Sequence, residues 1–157
     1  LPKRFNTVVT GAAGYPLDKT YYQTVKGIVG PLGIVEPGGD LIVASECSEG
    51  LGSRDFQEAQ KRLVEQGEEG FLAAIADKPH AAIDEWQTQM QLRTSRTAKV
   101  HLVSSGLNAI ERQLTNVQMS ESVEMAVVAS MARHGTSEVA FIPEGPYVVP
   151  YIAPTED

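Results

Sequence analysis

The feature of this sequence that most constrains its fold is an alternation of short apolar runs with longer amphipathic segments. Residues 6–10, 41–44 and 99–103 are apolar and β-branched, and each run ends in a loop rich in glycine or serine. Such runs are typical of strands buried on both faces, as in a parallel sheet. Periodic apolar residues between them predict connecting helices. We therefore expect an α/β fold, with a mostly parallel central sheet flanked by helices in Rossmann-like layers.

Capping residues and chain breakers predict where the elements begin and end. A helix is expected over residues 21–34, with Asp18 or Thr20 as its N-cap, and Pro37-Gly38-Gly39 is expected to break the chain before the second strand. Further helices are predicted at four ranges: 53–66, 71–75, 81–92 and 121–133, the last capped by Ser120. A short strand near Val117 and a strand over 138–142 follow. The proline-rich segment 147–157 is expected to run along the surface or to dock on a partner.

Length and composition exclude several classes of protein. A chain of 157 residues suits one domain spanning 1–157, and a net charge of −7 disfavours non-specific nucleic-acid binding. A single cysteine cannot form an internal disulfide, which favours a reducing cytoplasm. No apolar run approaches the length of a membrane span, and the first residues begin no signal-peptide pattern. We expect a cytoplasmic protein that contacts neither membranes nor nucleic acid.

Three loops follow predicted strands and are expected to meet at the carboxyl edge of the sheet, where open α/β sheets bind their ligands. Residues 11–18, 45–53 and 104–108 are rich in glycine and serine. Such residues let backbone amides approach an anion, but tight turns alone require them equally. Neither Gly-x-Gly-x-x-Gly nor a phosphate-binding Gly-Lys-Ser/Thr is present, which disfavours a nucleotide-dependent oxidoreductase.

Tyr22, Gln23 and Lys26 are three or four residues apart and therefore neighbours on one helix surface. A phenol, an amide and an ammonium near a helix N-terminus suit a small carboxylate or hydroxy-carboxylate. Capping by Gln23, packing by Tyr22 and solvation of Lys26 explain the same residues without any ligand. Trp86, the single tryptophan, is either a partly buried anchor of its helix or the apolar wall of a substrate pocket.

The metal-ligating and nucleophilic residue types form no recognisable site. His80, His101 and His134 are far apart and in different kinds of element, so a metal site built by this chain alone is not expected. Cys47 lies on a candidate ligand loop but has no basic neighbour in sequence to activate it as a thiolate. We expect no catalytic residue and no metal ligand in this chain.

Taken together, several motifs resemble the lactate racemase family. They are the run from Val8 to Asp18, the Tyr22-Gln23-x-x-Lys26-Gly27 motif, the Gly38-Gly39 pair, the loop from Glu46 to Gly52, and Asp84-Glu85-Trp86-Gln87. The joint pattern covers essentially the whole chain and resembles the C-terminal domain of that family. It is more specific than any of its parts.

The resemblance implies a racemase or epimerase of 2-hydroxy acids that depends on a nickel-pincer nucleotide. The family's cofactor-attaching lysine, nickel-ligating histidine and catalytic histidines belong to an N-terminal domain that is absent from these residues. That domain is then the expected partner of this chain, and the nickel-pincer nucleotide is expected on it. Tyr22, Gln23, Lys26 and Trp86 match the substrate-side contacts, and the isolated domain is expected to be inactive. The alternative is a stand-alone anion-binding or interaction module without catalytic activity.

Overall fold

The computed structural model of the protein describes residues 1–153 and contains one sheet of five parallel strands. The strands, in chain order, are β1 (Phe5–Gly11), β2 (Val35–Ala44), β3 (Lys99–Val103), β4 (Gln118–Met119) and β5 (Ala140–Ile142). Their order across the sheet is β4-β3-β2-β1-β5. Since all strand pairs are parallel, the expected α/β class with a parallel sheet is confirmed.

Helices form the connections between these strands. They are α1 (Tyr21–Val29), α2 (Arg54–Ala76), α3 (Glu85–Ser95), α4 (Ala109–Leu114) and α5 (Val123–His134), with short 3-10 helices at Gly30–Gly33 and Gly145–Tyr147. Side chains of α1, α2 and α4 join the apolar core on one face of the sheet, and α3 packs beside α1 and α2. The opposite face is covered by α5. Within residues 1–153, no helix combines the length and the apolar character that crossing a membrane requires.

Two boundaries near the start of the chain differ from the predicted ones. The first helix ends at Val29 rather than at residue 34, because Pro31 follows and the chain tightens into a 3-10 turn. The segment Pro37-Gly38-Gly39 does not end the strand but lies inside β2. It forms a bulge there, since Phe5 pairs with Val35 whereas Thr7 pairs with Asp40.

Later elements also depart from the sequence pattern. The two helices predicted between residues 53 and 75 are joined in α2, which is kinked at Gly67, where φ is 71°. Asn108 and Glu111 form a capping box that starts α4, a helix that the apolar periodicity did not predict. Ser122 rather than Ser120 caps α5, and α3 begins at Glu85 rather than at residue 81. The strand predicted over 99–103 is confirmed as β3.

The C-terminal segment forms no strand within the described residues, as its prolines predict. It runs along the surface beside the N-terminus: the Leu1 ammonium donates to the carbonyl of Tyr151 at 2.9 Å, and the amide of Ala153 donates to the carbonyl of Leu1 at 2.9 Å. Pro154 and the three residues after it lie outside the described residues. The described part of this segment therefore packs on its own domain.

The alternation of side chains along the strands divides the interior into two cores. Val8 and Leu41 face α1 in the larger core, whereas Val9 and Ile42 face Ala126 of α5. All four strand residues are buried. The parallel sheet is therefore apolar on both faces, as near-continuous apolar runs require.

A buried carboxylate, Asp40 of β2, interrupts the apolar face under α5. Its side chain has no exposed surface. One carboxylate oxygen accepts from His101 Nε2 at 2.8 Å and from Arg133 at 2.5 Å. The other accepts from the Ser130 hydroxyl at 2.8 Å and from His134 Nε2 at 2.9 Å. Asp40 therefore ties the last turn of α5 to two adjacent strands.

This network makes the ionised form of Asp40 the stable one. Burial by itself raises the pKa of the Asp40 carboxyl, but the hydrogen bonds and the Arg133 charge outweigh burial and hold the pKa below its ordinary value of 3.8. Removing one partner from such a buried cluster leaves the others desolvated and unpaired, which costs far more than losing an exposed ion pair.

We expect Asp40→Asn to lower the free energy of unfolding by about 3 kcal/mol, because it leaves the Arg133 guanidinium without its carboxylate and turns an amide donor toward other donors. Urea unfolding followed by circular dichroism measures the change. The matched control is Glu138→Gln, which breaks the exposed ion pair with Lys3 and should leave stability unchanged. Equal stabilities of the two variants would show that the Asp40 network does not hold α5 on the sheet.

Candidate functional site

The three loops predicted to meet at the carboxyl edge of the sheet do meet there, but they bind one another. The amide of Cys47 donates to the carbonyl of Asp18 at 2.7 Å, and the amide of Gly106 donates to the carbonyl of Glu46 at 2.8 Å. The Ser104 hydroxyl reaches the same Glu46 carbonyl at 2.7 Å. Because these amides are already bonded, turn formation explains the glycines and serines better than anion binding does.

Cys47 belongs to the larger core and not to a reactive site. Its side chain has no exposed surface, and its sulfur lies 3.5 Å from the hydroxyls of Thr24 and Ser45. A reactive thiolate needs exposure and a nearby positive charge. The thiol therefore packs between the first and second loops as a small buried side chain.

The order in which strands are added to the sheet reverses at β1. The chain first continues from β1 to β2 on one side, and it later returns to the other side of β1 as β5. In open α/β sheets such a point opens a crevice at the carboxyl edge. Here Gly11 lets the end of β1 and the segment after β5 approach closely, because a Cβ on Gly11 would lie 2.6 Å from the carbonyl oxygen of Pro143. Across the gap, a Cβ added to Gly27 of α1 would lie 3.6 Å from the ring of Pro146, so the two segments pack closely there. The crevice is thereby filled, and the exposed site lies beside it.

The start of α1 presents the predicted tyrosine, whereas Lys26 lies in the last turn of the helix and not near its N-terminus. Thr20 is the N-cap, and its hydroxyl accepts from the amide of Gln23 at 3.3 Å. Gly52 has a φ of 113°, and a Cβ on it would lie 2.9 Å from the Cβ of Tyr22. The second loop therefore packs directly against the first turn of α1 and fixes Tyr22 there.

The start of α3 is held by a buried carboxylate. Glu85, only 2% exposed, accepts from Arg62 at 2.5 Å, from Lys78 at 2.6 Å and from the amide of Ala82 at 2.9 Å. Burial raises the pKa of the Glu85 carboxyl, but these donors outweigh it and lower the pKa to about 2. This cluster positions the residue that follows it, Trp86.

Helices α1 and α3 lie side by side and run in the same direction. The side-chain amide of Gln87 donates to the carbonyl of Tyr22 at 2.7 Å, and the Thr94 hydroxyl donates to the carbonyl of Ile28 at 3.3 Å. Gln87 and Thr94 are both buried. Two buried hydrogen bonds along the contact therefore fix the spacing of the two helices.

Three of the four predicted site residues come together across this contact. The rings of Tyr22 and Trp86 meet edge to face, with centroids 6.3 Å apart, and the Lys26 ammonium lies 5.8 Å from the Tyr22 ring centroid. Tyr22 is half-buried, whereas Lys26 and Trp86 are exposed. Both interactions are of types that orient a side chain without burying it. We call these three residues the Tyr-Lys-Trp cluster.

Gln23 lies beside the Tyr-Lys-Trp cluster on α1, three residues before Lys26. Its side-chain carbonyl oxygen is buried and accepts no hydrogen bond from any of residues 1–153. A buried acceptor without a donor is costly, and such groups in native proteins call for an explanation. Since this oxygen has almost no exposed surface, a ligand would reach it only if the Gln23 side chain turned outward.

Next to the cluster, α1, α3 and residues 145–149 line a half-open groove of about 270 Å³, which we call the α1–α3 cavity. Lys26 and Trp86 line it together with Val29, Met90 and Val149. Met90 and Val149 are not among the predicted site residues, because nothing in the sequence shows which side chains face each other across two helices. The periodicity of Trp86 and Met90, four residues apart, is the one signal available.

The Tyr22 phenol stays protonated at neutral pH. Burial, and then the nearby carboxylate of Asp84, raise the pKa of the Tyr22 phenol above its ordinary value of 10.0. A neutral phenol donates one hydrogen bond and accepts others. Because Asp84 is close enough to accept the hydrogen bond that the phenol donates, the Tyr22 hydroxyl keeps only its acceptor capacity for a ligand.

The histidines lie away from this site. His101 and His134 meet at Asp40 on the far face of the sheet, so two residues that the sequence placed far apart share one partner. His80 is exposed. Among residues 1–153, no group of three or more histidine, cysteine, aspartate and glutamate side chains is arranged to hold a metal ion.

Fold and site together define a Rossmann-like α/β domain that presents a lysine and two aromatic rings beside an apolar cavity. Residues 2–149 match the family described as the lactate racemase C-terminal domain. The chain belongs to the lactate racemase C-terminal domain family, and the resemblance carried by its motifs is confirmed.

Similar proteins agree with this assignment. A lactate racemase from Thermoanaerobacterium thermosaccharolyticum is 26% identical over 158 residues, which cover 94% of this chain and 35% of that protein. A lactate racemase from Lactiplantibacillus plantarum is 26% identical over 135 residues, covering 84% of this chain and 31% of that protein. The solved structure of the lactate racemase apoprotein from T. thermosaccharolyticum matches with a TM-score of 0.82 at 24% identity, over 94% of this chain and 36% of that one. This chain spans about a third of the length of these relatives.

We expect Glu85→Gln to lower the free energy of unfolding by about 3 kcal/mol at neutral pH, the value that corresponds to a pKa displaced from 4.5 to about 2. Because the folded pKa lies below the unfolded one, the ionised carboxyl stabilises the fold fully above pH 4.5. That contribution is lost as the pH falls toward about 2. Urea unfolding of both proteins across this range should show their difference shrinking.

The control for this measurement is Glu65→Gln, which removes the exposed partner of Lys61 on α2 and should not change stability. A difference between the Glu85 variant and the unchanged protein that persists undiminished at the acid end of the range would contradict the assignment. It would mean that Glu85 stabilises the fold through the packing of its side chain and not through its charge.

Proposed function

We propose that this chain is the substrate-contacting domain of an enzyme that racemises or epimerises a 2-hydroxy acid. The observation that carries the proposal is the Tyr-Lys-Trp cluster, in which Lys26 and Trp86 line the α1–α3 cavity and both lie next to the Tyr22 ring. Membership of the lactate racemase C-terminal domain family supplies the reaction class. Tyr22, Gln23, Lys26 and Trp86 are the proposed substrate-binding residues.

Lys26 would bind the carboxylate of the substrate. Its ammonium lies 5.8 Å from the Tyr22 ring, a distance at which the ring attracts the charge without replacing a carboxylate partner. Among the charge interactions in which the described residues take part, no carboxylate pairs with Lys26. The ammonium is therefore held in place and free to bind an anion.

Tyr22 and Gln23 would complete the contacts to the substrate. The Tyr22 hydroxyl lies beside the Asp84 carboxylate and would accept a hydrogen bond from the substrate 2-hydroxyl while donating to Asp84, and Gln23 would offer its side-chain amide. Trp86 would form the apolar wall on the other side. These residues bind and orient, and positioning of this kind lowers a barrier by fixing the reacting atoms.

The chemistry itself is assigned to another part of the protein. When bound, the family's nickel-pincer nucleotide would supply an acceptor for the C2 hydrogen as hydride, and a base elsewhere in the protein would take the hydroxyl proton. We assign that cofactor and the catalytic histidines to an N-terminal domain of the same protein, as the resemblance to the lactate racemase family implies. That domain is the proposed partner of this chain.

The proposals on partners and on cellular location rest on the composition of the chain. A net charge of −7 does not favour nucleic acid as a partner, and a single buried cysteine suits a reducing cytoplasm. The proposed ligand is accordingly a small 2-hydroxy carboxylate met in the cytoplasm.

We expect Lys26→Gln to weaken lactate binding by about tenfold or more, because a charge-assisted contact to a carboxylate contributes about 1.5–3 kcal/mol. Trp86 is the only tryptophan, so its fluorescence reports binding at the cluster directly. The same change in a chain that also carries the N-terminal domain should lower kcat/KM, whereas residues 1–157 alone should not interconvert D- and L-lactate.

The matched control is Lys61→Gln, an exposed lysine on α2 that should leave lactate binding unchanged. If lactate binds equally to the unchanged protein and the Lys26 variant, Lys26 is not the carboxylate anchor. Binding that depends on Lys26 but racemase activity that does not return when the N-terminal domain is joined would favour the alternative, a stand-alone anion-binding module.

A further inference from the structure

The α1–α3 cavity is apolar along most of its length, and the sequence motifs do not account for this property. Val25 and Val29 line it from α1, and Trp86 and Met90 line it from α3. Each pair is four residues apart, so each helix presents a continuous apolar row. The two rows face each other across the cavity because α1 and α3 run in parallel.

The polar groups of the cavity lie at one end. Lys26 is held next to the Tyr22 ring, near the point where Trp86 meets the same ring. Gln87 also lines the cavity, but its side-chain amide already donates to the carbonyl of Tyr22 at 2.7 Å. A ligand with its carboxylate on Lys26 would therefore extend its other end along Val29 and Met90.

Residues 145–149 form the remaining side of this apolar space. Residues Gly145–Tyr147 form a 3-10 turn, and Pro146, Val148 and Val149 add apolar surface to the cavity. Val149 is 85% exposed, so it stands at the rim of this space. At about 270 Å³ the space suits a small alkyl or aryl group and not a large ligand.

We propose that the α1–α3 cavity binds the C2 substituent of the substrate and selects 2-hydroxy acids whose substituent is apolar, such as a branched alkyl or aryl group. This inference rests on the proposed function, because it uses Lys26 as the carboxylate anchor. A polyhydroxylated sugar acid would place hydroxyl groups against Val29 and Met90, where the side chains offer no hydrogen-bond partners. Lactate would fill the cavity only in part.

The expected selectivity has two causes: the apolar ligand surface that the cavity removes from water, and the hydrogen bonds that the hydroxyl groups of a sugar acid would lose there. Each methylene removed from water is worth about a fourfold gain in affinity. 2-Hydroxy-4-methylpentanoate carries three more carbons than lactate, and Trp86, at 48% exposed, leaves part of that surface in contact with water. We therefore expect it to bind about tenfold more tightly than lactate, and gluconate to bind no more tightly than lactate.

Titration of the chain with these three acids at millimolar concentration, followed by Trp86 fluorescence and by backbone amide NMR shifts, tests the inference. Met90→Gln keeps the size of the side chain but places an amide in the wall. It should lower the affinity for 2-hydroxy-4-methylpentanoate about fivefold and leave lactate nearly unchanged. The matched control is Met125→Gln, because Met125 is exposed on α5 across the sheet and should affect neither acid.

The outcomes separate this inference from the proposed function. If all three acids bind with equal affinity and all lose it in Lys26→Gln, the selectivity is wrong and the carboxylate site stands. If gluconate binds most tightly, the selectivity is likewise wrong. If none of the acids binds, or Lys26→Gln changes nothing, the proposed function fails and this inference fails with it.

Discussion

All five strands run in the same direction, and the position of the candidate site depends on that constraint. Parallel neighbours require a crossover for each connection, and crossovers of one hand place successive helices side by side on one face. Because β1, β2 and β3 are adjacent, α1 and α3 become neighbours although Tyr22 and Gln87 are 65 residues apart. The hydrogen bond between those two residues and the meeting of Tyr22 with Trp86 are consequences of strand order.

Different interactions hold the helices on the two faces of the sheet. The face under α1 is a continuous apolar core, whereas the face under α5 combines a smaller apolar core with the Asp40 network. A buried carboxylate adds little net stability compared with apolar packing, but its geometry admits only one arrangement of its donors. Asp40 receives Arg133 and His134 from the end of α5, and Glu85 receives Arg62 and Lys78 at the start of α3. Each carboxylate therefore fixes one end of one helix.

Strand position and fold class could be predicted from the sequence, because buried parallel strands are read directly from apolar runs such as residues 99–103. Errors arose where local chemistry was ambiguous. Pro37-Gly38-Gly39 is equally compatible with a break and with a bulge, and two serines before α5 were both suitable caps. The Tyr-Lys-Trp cluster was partly predictable, since helical spacing joins Tyr22 to Lys26. No local pattern predicts Met90 opposite Val29 or two histidines on Asp40, because both depend on how distant elements pack.

The rigidity of the site has a consequence for how binding relates to catalysis. Tyr22 is fixed by Gly52 and Gln87, and Trp86 follows a buried ion cluster, so the walls around Lys26 are formed before any ligand arrives. A preformed wall loses little conformational entropy on binding, which increases the share of contact energy that appears as affinity. In the proposed function, this domain would hold the carboxylate and the C2 substituent at defined positions, and the groups that act on the C2–H bond would come from another domain. Orientation and chemistry would then be divided between two surfaces, which agrees with the inactivity expected of this domain alone.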